Sequence, residues 1–506
     1  MDISVFKDKI IKNTLFNMLG RVWMVLVTIF LTPYIINHVG VERYGIWVII
    51  GVVTGYFGLL DLGLGMSFVK FISENFAKRE FGKLNEVINT GIVFYALFGI
   101  FLIAITFFIV KPLLLLLNVP DHLIGEATFV FILGIMIFAF SCMVSPIMEI
   151  QRGIQRMDIS NIISISVSIP MIIGTIFVIE RGYGLRGLII NNAFILTLGT
   201  VVNIIAAFQL LPTLRISPLL SSVSTFKRLI TFGYKVQIAK IASMFHFQLD
   251  RIILASFLNI GLVTYYSVAA QLASRIRDIP VLLISAIFPA ASELEANKDT
   301  QSLQRLFLRS LKYVVIAGLP LLFLVLLLAK PFITLWLGSG YERSIATLQV
   351  LMFVYFFNVL TGPGYHILNG MGKPQYTMRS STLGIVLNLL LTILLVIKMG
   401  YYGVVLGTAI ALIVSAAYFN SMSYRVLQIS FRTVFIKILY RPLLACVISY
   451  GIMYIVLKQV PQIGWFALCG SACAYLISFS LITLKLDYLD EFDKVLINKY
   501  ISFLHV

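Results

Sequence analysis

Charged side chains are scarce in this sequence. Asp, Glu, Lys and Arg make up 12% of the 506 residues, against roughly 25% in an average globular chain. Hydrophobic residues reach 59%, and the chain reads as a polytopic membrane protein. Cysteine is nearly missing as well. Cys142, Cys446, Cys469 and Cys473 all lie in apolar runs. Cys469 and Cys473 share a helix face at i, i+4, but nothing nearby completes a zinc set, so all four read as small packing groups. The five histidines do not cluster and no P-loop or other nucleotide motif occurs, which excludes a self-contained primary pump. No loop is long enough to fold a catalytic domain, which argues against a glycosyltransferase or a polymerase with a large external loop. Acidic residues are few, 22 against 39 Lys and Arg, for a net charge of +17. In a soluble protein that excess would suggest nucleic acid. Here the position of the charge matters more than its sum, and no nucleic-acid partner and no cofactor is expected.

What the sequence has in abundance is apolar runs. Spans of about 20 apolar residues, the length that crosses a bilayer, fall near 13–38, 44–69, 87–110, 123–148, 159–179, 188–211, 230–258, 262–290, 313–336, 344–368, 377–397, 402–423, 443–457 and 464–484. The stretch from Met1 to Lys12 is short and basic and the run behind it is too long for a signal peptide, so the first span is expected to direct insertion. With an even span count both termini share one side. The segments on that side hold 25 Lys and Arg, against eight in the opposite loops. The positive-inside rule then places both termini in the cytoplasm of a multi-pass cell (inner or plasma) membrane protein. The loops around 70–86, 212–229, 291–312 and 424–442 are basic and amphipathic, suited to interfacial helices or to solvated connecting helices. The tail 485–506 has helical apolar spacing.

The chain also repeats itself. Lys111-Pro112 recurs as Lys330-Pro331, and His38-Val-Gly40-Val-Glu-Arg-Tyr44 recurs loosely as Asn259-Ile-Gly261-Leu-Val-Thr-Tyr265. Tyr183-Gly184 matches Tyr402-Gly403, and Gly153-Ile-Gln-Arg matches Gly370-Met-Gly-Lys, all at offsets of 217 to 221. Six helices per repeat preserve orientation, so the halves are expected to be related by a pseudo-two-fold along the membrane normal, with binding near the midplane. The expected organisation is all-α: an N-lobe over 1–211, a cytoplasmic linker over 212–229, a C-lobe over 230–424, two additional helices over 425–484, and a cytoplasmic amphipathic tail over 485–506.

Ionisable groups inside the spans are the candidate site, because an Arg, Lys or Asp at a lipid-facing helix centre costs about 2.5–3.5 kcal/mol. The seventh span carries Lys235, Lys240, Asp250 and Arg251, and the eighth carries Arg275, Arg277 and Asp278. At 100° per residue, Lys235, His246 and Asp250 share one face, with Lys240 and Arg251 nearly opposite. Lys235 is near enough to the inner end to snorkel. Arg275 sits near mid-bilayer, with Gln271 a turn before it and Asp278 at i+3, within pairing range. It either holds a ligand or is locked to Asp250 or Asp278. Pro280 and Pro289 favour a bent or broken helix. Arg21 in the first span and Asp61 in the second complete the set; Asp61 is open to ion coupling, to pairing with Arg21, or to an aqueous inner mouth. Six cations against three anions suit a diphosphate, which takes Arg forks and Lys point charges.

The segments Phe-Leu-Thr-Pro-Tyr-Ile-Ile (30–36), Val-Gly-Val-Glu-Arg-Tyr-Gly (39–45), Leu-Leu-Asp-Leu-Gly-Leu-Gly (59–65), Leu-Asp-Arg-Ile-Ile-Leu-Ala (249–255) and Leu-Asn-Gly-Met-Gly-Lys-Pro (368–374) resemble the polysaccharide transporter branch of the multidrug/oligosaccharidyl-lipid/polysaccharide superfamily, which includes the Wzx-type O-unit flippases. The resemblance spans nearly the whole chain. It implies two six-helix lobes, two further C-terminal helices, and a cationic central cavity open alternately to each side. The implied cargo is an undecaprenyl-diphosphate-linked oligosaccharide, among membrane lipids and alongside polysaccharide polymerase and chain-length machinery. An H+ or Na+ gradient or the membrane potential would drive it. The similar lipid II flippases use cations from the first, second and eighth helices. Arg21 and Arg275 match that pattern, whereas Asp61 stands where they have an Arg, which favours the O-unit or exopolysaccharide branch. A cation-coupled multidrug or metabolite exporter is the alternative, and it predicts an acidic or apolar site.

Overall fold

The computed structural model describes residues 23, 25–58, 63–154, 156–282, 284, 287–297, 299–460, 463–488, 490 and 493. Among them the chain is helical, with no strand. That follows from the composition, since a chain buried in lipid must satisfy its own backbone N–H and C=O groups. The chain divides into two compact units, Met1–Thr264 and Tyr265–Val506.

The first unit holds α1 (Val25–Val39), α2 (Val41–Phe57), α3 (Leu64–Ala77), α4 (Phe81–Leu116), α5 (Asp121–Gly153), α6 (Met157–Glu180), α7 (Gly184–Leu210) and α8 (Val223–Phe257). Its core joins α3, α4 and α5 through Leu64, Phe68, Ile72, Leu84, Ile88 and Ile150. Phe68 fits because Gly91 has no side chain: a Cβ there would stand 2.5 Å from the Phe68 ring. The contact of α3 with α8 is closer still. Ser67 Oγ donates to the Leu229 carbonyl at 2.9 Å. Beside it Lys70 Nζ lies 4.2 Å from the Phe232 ring centre, and Arg228 Cζ lies 4.2 Å from that of Phe71.

The second unit holds most of α9 (Ile260–Leu282), then α10 (Ile287–Ala296), α11 (Thr300–Leu337), α12 (Glu342–Val359), α13 (Gly362–Gly370), α14 (Gln375–Met399) and α15 (Tyr401–Val426). It closes with α16 (Phe431–Val434), a π-turn at Phe435–Leu439, α17 (Tyr440–Lys458) and α18 (Trp465–Lys485). Leu327, Leu328, Met453 and Tyr475 tie α11 to α17 and α18. Past α18 the chain turns back onto this unit. Tyr488 Oη donates to the Ile438 carbonyl at 2.9 Å, inside the π-turn, and Arg441 donates to the Asp487 carbonyl at 2.8 Å. Burial pushes the Tyr488 hydroxyl above its ordinary range, so it stays a donor.

The internal repeat extends to the elements themselves. The starts of α2 to α7 at Val41, Leu64, Phe81, Asp121, Met157 and Gly184 recur 217 to 223 residues later. They become Ile260, Ile287, Thr300, Glu342, Gln375 and Tyr401 of α9, α10, α11, α12, α14 and α15. Each copy includes a helix hairpin clamped by an Asn–Thr bond. Asn191 Nδ2 donates to Thr175 Oγ1 at 3.2 Å between α6 and α7, and Asn388 Nδ2 donates to Thr408 Oγ1 at 2.9 Å between α14 and α15. Small residues let these backbones approach, as membrane helices do: a Cβ on Gly407 would lie 2.7 Å from Thr392.

Three sequence expectations need correcting. The span 44–69 is two helices, α2 and α3, and the span 262–290 is α9 and α10, with the second break between Pro280 and Pro289. The loops around 70–86, 291–312 and 424–442 are largely helical, formed by the end of α3 and start of α4, the end of α10 and start of α11, and the end of α15 with α16, the π-turn and the start of α17. Residues 211–222 are not helical apart from a 3-10 turn at Pro218–Leu220. In the tail, residues 494–506 lie outside the described residues.

Candidate functional site: charges within the membrane helices

Among the described residues, ten helices are long and apolar enough to cross a membrane. The four expected spans that fall short among the described residues are the first, second, seventh and eighth, built on α1, α2, α8 and α9. Val25–Val39 and Val41–Phe57 fall short by length, whereas the seventh and eighth spans carry most of the ionisable groups, and each Arg, Lys or Asp lowers the hydropathy of its window. Arg21 and Asp61 lie outside the described residues. Lys235 and Lys240 are in α8, and their side chains lie outside what is described.

The far end of α8 buries two opposite charges. Asp250 is 1% exposed and Arg251 9%. An ideal helix puts successive residues about 100° apart, and burying both requires cover on two sides. α2 supplies one side, with Tyr56 close enough to feel the charge of both Asp250 and Arg251. The turn after α4 supplies another: Asn118 Nδ2 donates to the carbonyls of Ala255 and Ser256 at 3.1 and 2.6 Å, capping α8. Arg251 donates within its own helix to Gln248 Oε1. Tyr56 and Gln248 were not among the sequence candidates. A polar residue one turn from a buried Arg was the available signal.

On α9 the pairing differs from expectation. Asp278 pairs with the adjacent Arg277 at 3.2 Å, not with Arg275. The same guanidinium makes a cation–π contact with α12, the Tyr355 ring centre lying 5.1 Å from Arg277 Cζ. Arg277 is 19% exposed and Asp278 52%. Arg277 also lines a small recess with Ile276, Pro280, Gly318, Tyr355 and Phe356. Arg275 is exposed and has no ion pair among the described residues. Of the sequence candidates, Arg277 and Asp278 form an ion pair, and Asp250 and Arg251 are both buried at the end of α8. A group of three or more His, Cys, Asp or Glu able to hold a metal is absent among the described residues.

The sequence model of the family described as "Polysaccharide biosynthesis protein" matches residues 10–295, more than half of the chain, and that of the MatE family matches residues 238–394. A Shigella flexneri protein named "Putative O-antigen transporter" is 27% identical over 418 residues, which cover 80% of this chain and 96% of the relative. Among solved structures, lipid II flippase MurJ in an inward closed conformation aligns with a TM-score of 0.71 at 15% identity, covering 94% of this chain and 99% of that one. An inward-facing multidrug resistance MATE family transporter of the MOP superfamily aligns with a TM-score of 0.64 at 15% identity, covering 82% and 94%. The likenesses to solved structures are of fold: an all-α, many-helix architecture. The chain belongs to the family described as "Polysaccharide biosynthesis protein".

Proposed function

We propose that this protein is a transporter that flips a lipid-linked glycan across the membrane, and not an enzyme that builds one. The observation that carries the reading is family membership together with a match over 96% of the relative named for O-antigen transport. The cargo is an undecaprenyl-diphosphate-linked O-antigen or exopolysaccharide repeat unit, moved from the cytoplasmic to the outer leaflet of the cell membrane by alternating access. Both termini lie in the cytoplasm on the strength of the Lys and Arg bias.

The diphosphate is held by cations within the membrane helices, Arg275 first, then Arg21, Arg277, Arg251, Lys240 and Lys235. Arg275 suits the leading role because its side chain is open and has no ion pair among the described residues. Arg277 and Arg251 have nearby carboxylates, so Asp278 and Asp250 temper their charge, and Asp61 is assigned to ion coupling or charge pairing. The lipid tail stays in the bilayer during transfer. Polysaccharide polymerase and chain-length machinery act downstream as partners. The match of the MatE family over residues 238–394 favours a second reading, a cation-coupled exporter of drugs or metabolites. The surplus of cations over carboxylates in the candidate set opposes it, since an organic cation needs the reverse.

Transport of a diphosphate-linked lipid in vesicles or in a strain lacking its own flippase tests both readings. Arg275→Ala is expected to abolish transport at normal protein level, and Arg275→Lys to restore part of it. Normal transport by both variants would remove Arg275 from the site. Efflux of organic cations without lipid transport would replace the reading with the exporter.

A further inference from the structure

The stretch joining α7 to α8 exposes apolar side chains that a connecting segment in water would be expected to hide. Leu219 is 94% exposed and Val223 73%, with Ile216 and Leu220 beside them at 46% and 38%. The backbone of the same stretch is fastened to α4. Asn85 Nδ2 donates to the Thr213 carbonyl at 2.9 Å while its Oδ1 accepts from the Arg215 N–H at 2.8 Å. One helical turn on, Asn89 repeats the arrangement, donating to the Arg215 carbonyl at 2.6 Å and accepting from the Ser217 N–H at 2.7 Å. Thr90 Oγ1 then accepts from the Ser222 N–H at 3.0 Å, and Thr225 Oγ1 donates to Glu86 Oε1 at 2.6 Å. Inside the turn, the N–H groups of Leu220 and Ser221 donate to the carbonyls of Ser217 and Pro218.

These attachment points fix a depth. They advance along α4 from Asn85 to Thr90, toward the bilayer. Thr90 is 21 residues from Lys111, about 32 Å of helix, and the hydrocarbon core is about 30 Å thick. With Lys111 at one boundary, Thr90 lies at the other, and the exposed apolar residues lie level with it. Irregular backbone at that depth survives only where the protein itself satisfies its polar groups, which is what Asn85, Asn89 and Thr90 do. Arg215 and Lys227 flank the apolar stretch and are exposed, placed for lipid phosphates in the manner of snorkelling side chains.

We propose that residues 216–223 form a wedge inserted at the headgroup–acyl boundary of one leaflet, with Leu219 and Val223 among the acyl chains and Arg215 and Lys227 at the phosphates. Insertion rests on the geometry of α4, and only the choice of the cytoplasmic leaflet rests on the orientation proposed above. The occupant of this surface is lipid, because its apolar residues lie level with the hydrocarbon boundary, whereas a water-soluble protein partner would require them to stand in water.

The test is spin-label accessibility in vesicles containing anionic lipid. Leu219→Cys and, separately, Val223→Cys are labelled after the four native cysteines are replaced, with Lys83→Cys as the aqueous reference. Both wedge positions are expected to show a several-fold higher ratio of oxygen to nickel-chelate accessibility than position 83. Equal ratios at all three positions would overturn the wedge and leave a surface open to a soluble partner. Using two positions guards against one substitution disturbing the turn.

Discussion

Asp493 is buried against Lys312. The lysine ammonium donates to Asp493 Oδ2, and the neighbouring Tyr313 hydroxyl donates to Oδ1 at 2.8 Å. Lys312 is 13% exposed and Asp493 3%, so the chain beyond α18 is pinned to α11 by an ion pair largely withdrawn from water. Removing one partner of such a pair strands the other charge, at a cost of about 3–5 kcal/mol. Asp490 also reaches Lys312, at 3.3 Å, which puts the expected loss for Asp493→Ala at the low end. Thermal unfolding in detergent should show a clear fall in Tm, with recovery in the double variant Asp493→Leu/Lys312→Met. A single variant unfolding at the wild-type temperature would show that the clasp contributes nothing.

The same clasp should be sensitive to acid. Asp490 and Asp493 form a reciprocal cap, Asp490 Oδ1 accepting from the Asp493 N–H at 2.9 Å and Asp493 Oδ2 from the Asp490 N–H at 3.1 Å, the pattern of a capping box. The Asp493 N–H, followed by Lys312, holds the Asp490 carboxyl below the usual carboxylate range. A lowered folded-state value stabilises at any pH above the ordinary one, about 3.9, and that support is lost as pH falls through the lowered value. Protection of the C-terminal segment from protease should therefore be constant above about pH 5 and decline below about pH 4. Asp490→Asn should flatten that decline. An unchanged profile would assign the acid sensitivity elsewhere.

Gly63 and Gly65 share the motif at 59–65, and only one of them is structurally constrained. Gly63 has a φ of +72°, in the left-handed region that penalises a side chain, and a Cβ there would collide with the Gly233 carbonyl oxygen of α8. A Cβ on Gly65 would meet nothing within 4 Å. Gly63→Ala should cost about 1–3 kcal/mol from backbone strain alone, plus the separation of α3 from α8. Gly65→Ala should be neutral or slightly stabilising, because alanine favours a helix. Equal stability of the two variants would refute the α3–α8 contact.

Local features of the chain made most of the membrane architecture readable. Apolar runs set the spans, and Lys111-Pro112 with Lys330-Pro331 marked equivalent ends of α4 and α11. Pro280 and Pro289 bracketed the break between α9 and α10. The concentration of charge in the seventh and eighth spans was equally visible, because it lies in the sequence of each span. The candidate site was legible as a set of residues but not as a set of pairs. Asp278 stood in range of Arg275 by helical spacing, yet it pairs with Arg277, which also meets Tyr355, 78 residues further along the chain.

What the sequence by itself determined is therefore the membrane class, most of the apolar spans, the repeat and the residues worth suspecting, since each follows from composition or spacing along the chain. What the tertiary structure alone decided is which groups meet. Asn89 holds Arg215 and Ser217, Asp493 holds Lys312, and Gly63 admits Gly233. Each contact joins residues more than 100 positions apart, through one hydrogen bond, one charge or one missing Cβ. No periodicity encodes such a pairing, because it is selected only when helices have packed and every polar group withdrawn from water must find a partner.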